Sequence, residues 1–232
     1  MRTIIFFVTA MLFINTISAQ PKKIYIVRVG EIPSEVLPFE AMYAYPQFKQ
    51  GTVYLRDGSV STAKLNYNII LNEMQFIGNN GDTLAIAYPE TVKNVTVDSG
   101  LFFYDKTYLE VIAQIDSFKL AKKQLYVQSP YRTRGGYDAP TAASSITTYS
   151  SISSSFINAK LQVKKDVQFE KETLYLVSDK FNHFLKADKK SFLNIFSKKR
   201  TAIENYINEN KIDFLKESAV EKLMQFCVSV IR

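Results

Sequence analysis

Single alternation of apolar and polar residues dominates the chain from Lys22 to about Gln128. "KKIYIVRV" opens the pattern, and "GTVYLRDGSVSTAKLNYN" states it more fully. There Val53 and Leu55 point one way, Tyr54 and Arg56 the other, and Asp57-Gly58 is a strong hairpin-turn signal. Beyond the turn Ala63, Leu65 and Tyr67 again share one face. "EMQFI", "TLAIAY", "TVKNVTV" and "SGLFFY" follow, separated by the turn-forming "GNNGD", Pro89 and Asp98-Ser99-Gly100. Short strands punctuated by Gly, Asn, Asp and Pro predict an antiparallel meander that closes into a barrel or a sandwich. The stretch "YLEVIAQIDSFKLAKKQLYVQ" offers some helical spacing. Its Val, Ile and Tyr content and the central Asp116-Ser117 favour two strands and a turn.

The period is lost in "YRTRGGYDAPTAASSITTYSSISSS", where no charged residue stands between Asp138 and Lys160. Structureless connections longer than about 15 residues are functional or disordered. Strand-like sequence on both sides ("KKQLYVQ" and "AKLQVKKDV") marks this one as an excursion between strands of one fold. "TLYLVSD" and "HFLKA" then predict a hairpin, after which the period changes from two to between three and four. Asp188 is placed to cap a short helix carrying Phe192, Leu193 and Phe196. A second helix near 199–209 sets Ile203, Tyr206 and Ile207 on one side and ends at Asn210. A third, near 216–230, aligns Val220, Leu223, Met224, Cys227 and Val230. The fold class expected is therefore α+β: an antiparallel β-domain over 20–128, a Gly/Tyr/Ser/Thr-rich loop over 129–158, and a β-hairpin with three short helices over 159–232 packed on the same sheet.

The first nineteen residues carry a different signal. A basic start at Arg2, an apolar run from Ile4 to Ile14 and a small residue at Ala19 read as a secretory signal peptide cleaved after Ala19. The expected location is exported, in the periplasm or at the outer membrane. A single cysteine excludes an internal disulfide even in an oxidising compartment, so stability must come from an ordinary core. The formal charge is +7, and residues 156–232 hold 15 basic against 10 acidic groups. Such a surplus suits anionic envelope material better than nucleic acid.

Candidate chemistry is sparse. Metal sites need several His, Cys or carboxylate ligands in close pairs, whereas this chain has one histidine, His183, and one cysteine, Cys227. Cys227 falls within the apolar stripe of a helix, where it behaves as a small hydrophobe, and His183 falls in a turn. No G-x-S-x-G elbow, Walker loop or G-x-G-x-x-G is present. No catalytic residue, metal or cofactor is assigned. For binding, Tyr131, Arg132, Arg134 and Tyr137 combine aromatic surface with forked cationic donors, both enriched at contact hot spots. Lys186, Lys189, Lys190, Lys198, Lys199 and Arg200 form a basic zone suited to peripheral contact with an anionic membrane surface. "GDTLA" resembles the O-glycosylation acceptor of exported Bacteroidetes-type proteins at Thr83.

"GTVYLRDGSVSTAKLNYN", "MQFI", "AYPETVKNVTV" and the late "FLNIFSKKRTAIENYINENKIDF" resemble small exported β-rich proteins common in Bacteroidetes-type bacteria. That resemblance implies a compartment and an architecture but no activity. The function expected is a non-catalytic envelope protein that binds another protein or a glycan. The alternatives are a periplasmic carrier with a small ligand inside the β-domain and, third, a glycan hydrolase using two carboxylates.

Overall fold

The computed structural model describes residues 23–130 and 163–231. Tyr131, Arg132, Arg134 and Tyr137, and residues 1–19, expected to form a leader, lie outside them. Among the described residues, one antiparallel sheet of eleven strands organises the fold. Its strands are β1 (Ile24–Val27), β2 (Lys49–Leu55), β3 (Val60–Asn68), β4 (Glu73–Ile77), β5 (Thr83–Ala85), β6 (Val92–Val97), β7 (Gly100–Tyr104), β8 (Tyr108–Ile115), β9 (Phe118–Pro130), β10 (Val167–Ser178) and β11 (Phe184–Lys186). Their order is β1-β10-β9-β8-β7-β6-β2-β3-β4-β5, with β11 beside β10. The expected closure into a barrel or sandwich does not occur. β1 and β11, both beside β10, form one edge of an open sheet and β5 the other.

Most neighbours in the sheet are neighbours in sequence, and the turn chemistry explains why. Asp57 accepts hydrogen bonds from the Ser59 backbone and hydroxyl and Gly58 adopts a positive φ of 89°, joining β2 to β3. Asp98 and Asp116 likewise take the left-handed conformation between β6 and β7 and between β8 and β9, one that short polar side chains tolerate. β9 and β10 pair along nearly their whole length, from Val167 opposite Pro130 to Val177 opposite Leu120. β9 thus extends into the start of the stretch expected to be loop, and β10 begins only at Val167, later than "AKLQVKKDV" suggested.

The sheet curls because both of its ends contribute to one core. Val27, Tyr126 and Phe169 from the β1 end join Leu65, Tyr67 and Met74 from the β4 end, around Val95, Phe102 and Tyr108. Two single helical turns, α1 (Pro33–Val36) and α2 (Phe39–Met42), bridge the gap. The Tyr126 hydroxyl donates to the Ala41 carbonyl, and the Ile69 N–H to the Met42 carbonyl. Alternation alone did not reveal these turns; Pro33 and Pro38 were their local signal. Phe102, Tyr108 and Phe169, each almost wholly buried, are the largest side chains at the middle of this core.

A second core lies under the C-terminal helices α3 (Lys189–Ile195), α4 (Arg200–Glu209) and α5 (Glu217–Ile231). Asp188 caps α3 as expected, accepting from the Ser191 N–H at 2.8 Å. Val220, Leu223, Met224 and Cys227 of α5 meet Phe192, Phe196 and Ile203, with Leu120 and Val177 from the sheet beneath. A bulge in β8 between Val111 and Ala113 re-aims that strand, so that Ile112 and Ala113 both pack against this core. Between the two cores runs a polar belt. Alternate positions of β9 read Leu120, Lys122, Gln124, Tyr126, the first in the helical core and the last in the curled one. Lys122 bonds Glu110 there at 3.3 Å.

Candidate functional site

Beside the helical core a groove of about 530 Å³ opens between the β10–β11 turn, the end of α3 and the end of α5. Its apolar lining comes from Phe118, Phe181, Leu185, Ile195, Phe196 and Ile231, and its polar lining from Asp179, Lys180, Asn194, Ser197 and Lys198. Phe118 and Phe196 touch with ring centroids 4.8 Å apart. Phe196 is buried by the packing of α3, so the apolar lining is anchored in the core.

The opposite wall is the turn "SDKFNHF". Asp179 accepts from the backbone N–H groups of Phe181 at 2.8 Å and His183 at 3.0 Å, while its other oxygen meets His183 Nδ1 at 2.9 Å. Burial alone would raise the Asp179 carboxyl, but these hydrogen bonds outweigh it and hold the group below the usual carboxylate range. Asn182 takes a positive φ of 65°, and its side-chain oxygen accepts from Lys119 Nζ. Lys119 is itself lowered by burial and lies 5.2 Å from the Phe103 ring centre. The turn is therefore fixed at both shoulders, and it presents Phe181, 66% exposed, at its tip. The Lys180 ammonium sits 4.9 Å from the centre of that ring.

The His183 ring bonds Asp179 and not a hydroxyl or thiol, and its side chain is 76% exposed. Cys227 is buried within the helical core, and that burial pushes its thiol up to about 12. Among the described residues no group of three or more His, Cys, Asp or Glu side chains is arranged to hold a metal. The groove instead suits a ligand with an apolar body and an anionic group.

Of the basic residues singled out in the sequence, Lys198 lines the groove, whereas Lys189 is engaged by Glu204 at 2.8 Å. Thr83 is exposed on β5, the edge strand. The sequence reading passed over Lys180, Phe181 and Leu185. Their signal was an aromatic flanked by Lys and Asn in a turn, where no core can reach it. No helix among the described residues is long and apolar enough to cross a membrane. No family model, curated protein or solved structure matches this chain.

Proposed function

We propose that this protein is an exported, non-catalytic binding protein of the cell envelope, and that the groove beside the helical core is its contact site. The observation that carries the reading is the pairing of an apolar lining with lysines at the mouth, next to an aromatic tip that the fold holds in water. Exposing Phe181 and Leu185 together costs solvation free energy that a partner would recover on contact. The partner this chemistry selects is an acidic envelope component that also carries apolar groups. The leader-like first nineteen residues supply the compartment.

The test is fractionation of source cells producing the tagged full-length chain or its Phe181→Asp variant. The unmutated protein is expected to sediment with the envelope fraction and to be released by high salt. The variant, with unchanged circular dichroism, is expected to move to the soluble fraction. A freely soluble parent, or a variant that sediments equally well, overturns the reading.

A further inference from the structure

We infer that the partner at this groove is an anionic lipid surface, with Phe181 entering the headgroup–acyl boundary and Lys180 and Lys198 meeting lipid phosphates. This inference rests on the binding reading above and names its ligand class.

Three observations point to lipid over a folded or peptide partner. First, the apolar contact is exposed yet held in place. Phe181 lies in a hairpin turn whose shape is locked by Asp179 and by the Lys119–Asn182 hydrogen bond, and it stays open to water where it lines the groove. Leu185 and Ile231 line the groove as well, at 45% and 36% exposure. Side chains offered in this way can partition into a fluid interface that shapes itself around them.

Second, the cations flank the apolar group on separate elements. Lys180 lies on the hairpin with its ammonium beside the Phe181 ring, and Lys198 lies on the helical side of the groove. An aromatic ring at headgroup depth with ammonium groups at phosphate level is the arrangement that amphipathic side chains adopt at a membrane surface. A single peptide carboxylate would satisfy one of the two lysines, whereas a plane of phosphates meets both.

Third, the charge balance at the groove is cationic. Among the described lining residues the ionised Asp179 stands against two lysines, Lys180 and Lys198, and its oxygens are turned to the Phe181 and His183 N–H groups and the His183 ring. A net positive lining is what attraction to anionic headgroups requires.

The chain contains no tryptophan, so a Phe181→Trp variant of the mature protein carries a single indole reporter at the contact. Mixed with phosphatidylglycerol-containing vesicles, it is expected to shift its emission to the blue, with little shift on phosphatidylcholine alone. In sedimentation with the anionic vesicles, Phe181→Ala should weaken partitioning about tenfold. Reversing Lys180 or Lys198 to Glu should weaken it about fivefold or more each. Lys64→Glu, an exposed site on β3, should change it little. Absent vesicle binding, equal binding to both vesicle types, or binding without an indole shift each overturns the lipid assignment. If purified vesicles do not bind while Phe181→Asp still abolishes envelope sedimentation, the partner is a protein or glycan and the binding reading stands. If that substitution leaves envelope sedimentation intact, both fall.

Discussion

At the scale of single residues, burial decides chemistry here. A free thiol invites oxidation or disulfide exchange where it is reachable as thiolate. Cys227 is neither reachable nor ionised, because α5 turns it into the helical core and burial raises its thiol to about 12. A thiol reagent at pH 8 is therefore expected to label it no faster than the chain unfolds, with rapid labelling in denaturant. Labelling of the native protein within seconds would show that the core opens locally. Asp188 works through one hydrogen bond to the Ser191 N–H. Its replacement by Ala should cost about 1 kcal/mol, seen as a lower denaturant midpoint. Lys123 shows the opposite sign. Burial on the sheet lowers it to about 8, so below that pH the native state carries a charge that it disfavours. Stability of the parent is expected to rise between pH 8 and 10 as the native lysine loses a proton that the unfolded chain keeps, and Lys123→Met should remove that rise from the denaturant midpoint.

At the scale of elements, the sequence was legible wherever a local rule governed the outcome. The Asp57-Gly58 hairpin, the Asp116-Ser117 turn, the Asp188 cap and the stripe of α5 each follow from residues within a turn or two of one another. Closure of the sheet does not. Whether β1 meets β5 depends on accumulated twist and on what fills the space between them, and α1 and α2 occupy that space as single turns too short to show a period. The groove was hidden for a similar reason. Lys198 was noticed as part of a charge cluster, while Phe118, Phe181 and Ile231 are brought near it only by tertiary packing. Gly51 marks another such long-range constraint. A Cβ there would collide with the Thr96 carbonyl and press within 2.7 Å of Leu65 Cδ1, at the point where β2 lies between β3 and β6. Gly51→Ala should destabilise by about 1–3 kcal/mol through overpacking, whereas Gly78→Ala, which meets the flexible end of Leu84, should be milder.

For the whole molecule, the aromatic interior sets the response to alkali. Burial pushes up the hydroxyls of Tyr67, Tyr108 and Tyr126, and burial together with Glu110 and Asp98 pushes Tyr45 up to about 12. Unfolded tyrosine titrates near pH 10. Above that pH the unfolded chain releases protons that the native chain keeps, so stability must fall as pH rises. Cys227 acts in the same direction from about pH 9. The denaturant midpoint is expected to drop steadily between pH 10 and 12, and a flat profile would mean that water reaches these hydroxyls.

The same architecture has a bearing on how the molecule tolerates being cut. Neither core is completed by one side of the 131–162 stretch. The curled core draws Val167 and Phe169 from beyond it, and the helical core draws Ile112, Phe118 and Leu120 from before it. β10 is clasped between β1 and β9, both of which precede the stretch. A protease that nicks the chain there would leave two polypeptides still interlocked through paired strands and shared side chains. The nicked protein should migrate as two bands when denatured and as one particle otherwise, and fragments produced separately should recover the fold only when mixed.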